Sequence, residues 1–129
     1  MTTTTRNPAP VVLLIDDEQS LAYLIHRYGQ ASNCQVMSVQ LLDEARAIIK
    51  RTPPALVVLH VAPQRLDSWE VVRALKADPA TSGFPLVVVC AASIDAARMW
   101  EMGADYCLTK PVLYDDFRAV LVASGAMPL

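Results

Sequence analysis

The sequence is short of charge, and what it has nearly cancels: Asp, Glu, Lys and Arg make up 19% of its 129 residues and leave a formal net charge of −2. With a pI near 5.6 it carries no polycationic signature, so binding to nucleic acid or to a membrane surface through phosphates is not expected. Cysteine is scarce as well. Cys34, Cys90 and Cys107 are odd in number and show no CxxC spacing, which suggests neither a disulfide framework nor a thiolate zinc site and makes a reducing cytoplasm the expected setting. Glycine occurs four times and no GxGxxG follows the first apolar run, so a dinucleotide enzyme is the poorest reading. The longest apolar stretches, such as Leu86 to Ala92, fall far below the roughly 18 residues of a membrane-spanning helix. The opening MTTTTRNPAP has one Arg, and Val11 to Ile15 behind it runs straight into Asp16-Asp17, so no signal peptide is expected.

Apolar side chains are plentiful. At 53% hydrophobic the composition is the opposite of a disordered chain, and the length fits one domain able to bury a full core. Four short runs rich in β-branched residues have strand length: Val11 to Ile15, Ala55 to Leu59, Leu86 to Cys90 and the more mixed Cys34 to Val39. Helical stripes lie between and after them: Leu21, Leu24, Ile25 and Tyr28; Leu41, Leu42, Ala45, Ile48 and Ile49; Val71, Val72 and Leu75; and Phe117, Val120 and Leu121. Pro53-Pro54 closes the second stripe, Asp78-Pro79 with Ser82-Gly83 closes the third, and Gly103 precedes a weak fifth strand, Asp105 to Thr109. The order βαβαβαβαβα implies a parallel sheet covered on both faces, a three-layer α/β/α sandwich.

In such sheets function gathers at the carboxyl ends of the strands. There the first strand ends in Asp16-Asp17-Glu18, the third in His60, the fourth in Cys90 and the fifth in Lys110-Pro111. Adjacent carboxylates in a half-buried site repel unless a cation compensates. Lys110 is one candidate cation and a bound divalent metal the other.

The frame VVLLIDDE, the segment DSWEVVRALK, the strand FPLVVVCAA and the block GADYCLTKP together resemble the receiver domain of two-component response regulators, over about Pro10 to Ala123. That resemblance implies a doubly wound five-stranded parallel sheet of order 2-1-3-4-5. It implies a domain over 10–125 between an N-terminal tail, 1–9, expected to be disordered, and a C-terminal tail, 126–129. In the family an aspartate ending the third strand accepts a phosphoryl group from a histidine kinase, an acidic pair holds Mg²⁺, a lysine contacts the phosphoryl oxygens, and a Ser or Thr ending the fourth strand reports the phosphate. Asp16 and Asp17 match the acidic pair, and Lys110 matches the lysine.

Three signalling positions depart from the pattern. Seven residues before Asp67, His60 stands where the phosphorylated aspartate belongs, and no shift of one or two residues supplies an Asp or Glu. Cys90 takes the Ser/Thr position, and a thiol is the poorer hydrogen-bond donor. The aromatic switch position, three residues before the lysine, holds Cys107, with Tyr106 one place earlier and therefore on the opposite face of its strand.

For His60 the leading expectation is a structural substitute that donates to Asp16 or Asp17 and mimics a fixed state of the site. An imidazole beside two carboxylates also suits Mn²⁺, Zn²⁺ or Ni²⁺ better than Mg²⁺. Asp67 reads as a helix cap, His26 as a boundary residue, and Cys90 and Cys107 as structural thiols. Met99, Trp100, Met102, Val112, Leu113 and Tyr114 concentrate apolar groups around the fourth helix and the start of the fifth, and with a mean hydropathy of +0.31 they read as a docking or homodimer surface. The expected function is an atypical receiver, not an enzyme, that signals through protein partners such as a histidine kinase without aspartyl phosphorylation. The alternatives are a receiver phosphorylated on a non-standard residue, and a metal or small-molecule sensor using Asp16, Asp17, His60 and Lys110.

Overall fold

Alternation of β-branched runs with amphipathic segments builds five strands and four helices in the residues that a computed structural model describes, 9–16, 21–61, 67–91 and 100–127, with the side chains of 67–69 left aside. They are β1 (Val11–Ile15), α1 (Ala22–Ala31), β2 (Gln35–Val39), α2 (Leu42–Arg51), β3 (Leu56–Val61), α3 (Asp67–Ala77), β4 (Leu86–Cys90), β5 (Tyr106–Thr109) and α4 (Tyr114–Ala123). The helix expected between β4 and β5 falls mostly outside the described residues, where Trp100 and Glu101 are its visible part. All neighbouring strands pair in parallel, in the order β2-β1-β3-β4-β5.

Burial follows strand position. β3 and β4 are buried throughout and β1 nearly so, because helices cover both faces. β2 and β5, at the two edges, alternate or expose residues, which is why their sequences read as mixed. Along each central strand alternate side chains serve opposite faces. Leu13, Ile15, Val57, Leu59, Val88 and Cys90 pack with Ala45, Ile49, Val72 and Leu75 of α2 and α3. Val12, Leu14, Leu56, Val58, Val87 and Val89 pack with Ile25, Phe117 and Leu121 of α1 and α4.

Two boundaries differ from the sequence reading. β3 continues through His60 to Val61, because His60 pairs with Val89 and Val61 with Cys90 across to β4. Leu41 leaves its expected stripe and is 62% exposed. It precedes the first turn of α2 in extended conformation, φ −119° and ψ 149°, so its side chain does not follow the helical face. Its N–H instead donates to Glu44 Oε1 at 3.2 Å, satisfying one of the free donors at the helix start.

Gly29 sets how closely α1 lies on β2. A Cβ there would collide with Cγ2 of Val36, a stiff β-branched side chain. Gly29→Ala is expected to lower the urea midpoint, since overpacking costs about 1–3 kcal/mol against a helix-propensity gain of roughly 1 kcal/mol. An unchanged or raised midpoint contradicts the close approach.

Candidate functional site

The carboxyl ends of β1, β3, β4 and β5 meet at one edge of the sheet, and Asp16 stands first after β1. Its N–H donates to the Val39 carbonyl at 2.9 Å, extending the β1–β2 ladder by one rung. Its Oδ2 accepts the Leu21 N–H at 2.8 Å, just before α1 begins. Its Oδ1 lies 3.1 Å from His60 Nδ1. Ile15 pairs with Leu59, so Asp16 and His60 are the next step of the same register and share the face covered by α1 and α4. A carboxylate oxygen only accepts, so Nδ1 carries the proton of this bond. Asp16 is 2% exposed and His60 4%. Burying a carboxylate that deeply requires a partner, and the register delivers the imidazole to it.

Lys110 takes a different position. Its N–H donates to the Cys90 carbonyl at 2.9 Å, fixing the end of β5 beside β4, and the Lys110–Pro111 peptide is cis. The residue is exposed. Among the described residues, His60 is a side-chain partner of Asp16. Asp17 lies outside the described residues, as do Glu18 and Met99, and of Asp67 only its place at the start of α3 is described.

Cys90 is fully buried and Cys107 partly so, both on the α2/α3 face, opposite His60. Burial pushes the Cys90 thiol up, with the Lys110 ammonium pulling it partly back. Burial also raises Cys107, and neighbouring Cys90 adds to the rise. Cys34 is raised by burial alone. Neutral thiols are poor nucleophiles. Native protein is therefore expected to react with iodoacetamide at pH 8 far more slowly than urea-unfolded chain, in which Cys34, Cys90 and Cys107 all react. Fast native labelling at Cys90 or Cys107 contradicts the structural reading of these thiols. The raised values also fix a sign: the folded state holds these protons longer, so the stability they contribute is complete below about pH 8.5 and declines as pH rises beyond it.

The apolar surface expected near the end of the chain divides. Trp100 and Leu113 are 51% and 56% exposed, but one precedes β5 and the other follows it, about 10 Å or more apart along the strand. Val112 does not belong to that surface: it is 4% exposed and packs in the core beneath α1 and α4. Met102 leans on the α2/α3 core. Tyr114 is half-buried and meets the Tyr28 ring edge-on, with centroids 5.4 Å apart. Tyr106 faces α4, where its hydroxyl donates to the Ala123 carbonyl at 3.0 Å. His26, at the boundary as read, has its Nε2 3.3 Å from Ser38 Oγ.

Two polar links had no signal in the sequence. Tyr28, read as a stripe residue, donates its hydroxyl to the Val112 carbonyl at 2.8 Å. Asp105, read as the start of a strand, takes both Lys76 Nζ at 2.7 Å and the Leu86 N–H at 2.8 Å on Oδ2. That pair lines a groove of about 220 Å³ at the amino edge, away from Asp16. Beside Asp16 itself, a crevice bounded by Ala22, Ser38, Val39 and Gln40 has about 20 Å³, room for roughly one water.

The model of the response regulator receiver domain matches residues 12–122. The chain belongs to this family. It is similar to the protein PilH of Pseudomonas aeruginosa, 24% identical over 103 residues, covering 78% of this chain and 85% of that protein. It is 30% identical over 102 residues to the alkaline phosphatase synthesis transcriptional regulatory protein PhoP of Bacillus subtilis, covering 78% of this chain and 42% of that one. The chain thus spans about two fifths of several curated relatives it matches, at 41% and 42% of their lengths. Among solved structures, a response regulator receiver protein from Burkholderia phymatum superposes with a TM-score of 0.72 at 26% identity, covering 93% of this chain and 99% of that one.

Receiver domains are signalling modules of two-component systems, and the family implies Mg²⁺ held by carboxylates at this edge. Among the described residues no group of three or more His, Cys, Asp or Glu side chains comes together to hold a metal ion. Mg²⁺ takes an octahedral set of oxygens; of the expected acidic pair, Asp16 accepts from His60 and Leu21 on Oδ1 and Oδ2, and Asp17 lies outside the described residues.

Proposed function

We propose that this receiver signals through protein contacts without aspartyl phosphorylation, with His60 as the fixed partner of Asp16. The observation that carries this reading is the buried 3.1 Å contact between His60 Nδ1 and Asp16 Oδ1. Phosphoryl transfer in a receiver needs an attacking carboxylate and a cation against the charge of the transferring group. Here the attacking position is an imidazole whose Nδ1 is already bonded, and the neighbouring carboxylate is satisfied within the protein. Its partners are proteins of two-component signalling, a histidine kinase or a downstream component, and a second copy of the chain is a further candidate.

The test is intact mass after incubation with a small phosphodonor and Mg²⁺, beside a conventional receiver as positive control. No mass gain is expected for the wild type. A stoichiometric phosphoryl adduct overturns the reading, and its mapped position decides whether His60 or another residue is a non-standard acceptor. Calorimetry with Mg²⁺, Mn²⁺, Zn²⁺ and Ni²⁺ tests the sensor alternative in the same protein, and saturable binding to the wild type counts for it.

A further inference from the structure

From Tyr28 to Leu42 the chain carries no Asp, Glu, Lys, Arg or Pro, and the middle of that stretch, β2, is an edge of the sheet. Its backbone groups divide by residue. The Gln35 N–H donates to the Pro10 carbonyl at 2.9 Å and the Val39 carbonyl accepts the Asp16 N–H at 2.9 Å, so Gln35 and Val39 turn toward β1. Alternation turns Met37 the same way, and turns the N–H and C=O of Val36 and Ser38 off the sheet. Among the described residues no strand lies on that side. Sheet edges are guarded against pairing by charged side chains, proline, bulges or shortness. β5, the other edge, has such guards: it is four residues long and runs from Asp105 into Lys110-Pro111. β2 has none of them, since its five residues pair with β1 one for one, without a bulge.

We propose that β2 pairs antiparallel with β2 of a second copy of the chain, about a two-fold axis at Met37, so that two five-stranded sheets join into one. The register follows from the outward groups. Val36 and Ser38 stand symmetrically about Met37, so Val36 of each copy faces Ser38 of the other, and each facing pair exchanges both of its N–H···O bonds. Between them the two Met37 residues form the close, non-hydrogen-bonded pair, with Cα atoms about 4.5 Å apart, where their flexible thioethers adapt to one another. A second copy is the occupant this edge fits because the pattern is self-complementary: an isologous contact closes on itself and covers both β2 edges at once. The same register brings Leu41, 62% exposed just past β2, level with Asn33 of the second copy, which withdraws apolar surface from water. A five-residue edge buries less than a standard interface, so the dimer is weak and forms with rising concentration. The proposal rests on the reading that a second copy of the chain is a partner, and not on His60. Its test uses no phosphodonor, so the two can fail separately.

Sedimentation velocity of the full chain over a range of concentrations, with amide hydrogen exchange at each, tests it. The chain is expected to pass from monomer to dimer. Across that range the Val36 and Ser38 amides should slow about tenfold, while Gln35 and Met37, already turned to β1, keep their rates. Ser38→Pro removes an outward donor without touching the β1 ladder and is expected to raise the dissociation constant about tenfold or more, since half of the bonds across the axis are lost. Ser38→Ala, which keeps the N–H, should change it less than about threefold. If Ser38→Pro does not fold, Ser38→Lys, which sets a charge on the exposed edge, replaces it. A monomer at every concentration overturns the proposal and leaves the edge to a strand of another protein. So does a dimer that Ser38→Pro leaves intact and in which Val36 and Ser38 exchange freely, because its contact lies elsewhere. Protection of Val36 and Ser38 that ignores concentration also overturns it, since the edge is then covered within one chain.

Discussion

His60→Asp is expected to take up one phosphoryl group from a small phosphodonor in Mg²⁺, where the wild type takes up none. The substitution places a carboxylate at a position on β3 whose neighbours are already in place. Asp16 follows β1 directly, His60 pairs with Val89, and the end of β5 is bonded to Cys90 O. It also replaces an imidazole 3.1 Å from Asp16 Oδ1 with a second anion, and two buried carboxylates at that separation repel unless a cation joins them. Stability and metal binding are therefore linked in the variant. Without metal, His60→Asp should unfold at lower temperature than the wild type. With Mg²⁺ at about one hundred times its dissociation constant it should recover about 2.7 kcal/mol, while the wild type should not respond. Thermal unfolding with and without Mg²⁺, beside intact mass, reads both effects. A variant that gains neither phosphate nor Mg²⁺-dependent stability would falsify the view that the nucleophile alone was lost, and would place the defect in Cys90, Cys107 or the loops around the site.

Asp16→Ala is expected to cost about 3–5 kcal/mol, because it breaks a buried pair and leaves its partner without compensation. Two donors lose their acceptor at once, His60 Nδ1 and the Leu21 N–H. On a domain whose total stability is about 5–15 kcal/mol, that is a loss visible in the urea midpoint, with a fall in Tm of about 10 °C or more. Asp16→Asn should be milder, near 1–2 kcal/mol. Its amide oxygen can accept from Leu21 while its amide nitrogen donates to His60 Nδ1, provided the imidazole adopts the other tautomer. The ordering Ala worse than Asn distinguishes a bonded pair from simple proximity. Equal and small effects, below about 1 kcal/mol, mean that the pair contributes nothing to the fold and remove the basis for treating His60 as a fixed substitute.

Much of the site was legible before any coordinates because a strand of five apolar residues is a ruler. Val11 to Ile15, Leu86 to Cys90 and the strand before Lys110 place their next residues at one sheet edge, and parallel pairing keeps those ends together. That a histidine stands seven residues before Asp67 was equally plain. Less was legible at the edges. Leu41 and Val112 both read as members of apolar groups, yet one points to solvent and the other into the core. Both lie beside an element and not within one, where helical or strand periodicity says nothing about direction.

By itself the sequence determined the alternation of strands and helices, the edge at which its polar residues gather, and that β3 carries a histidine and no acidic side chain. These follow from local periodicity and from the fixed geometry of a parallel sheet. Only the tertiary structure decided which group faces Asp16. Repulsion between neighbouring carboxylates demands a cation or a donor but does not name one, and His60, Lys110 and a metal all satisfied the demand on paper. The register of β1 against β3 puts His60 Nδ1 against Asp16 Oδ1 and leaves Lys110 exposed at the end of β5. The same was true of Tyr28, whose hydroxyl reaches Val112 across 84 positions of sequence: a pairing that distant exists only once two elements have packed.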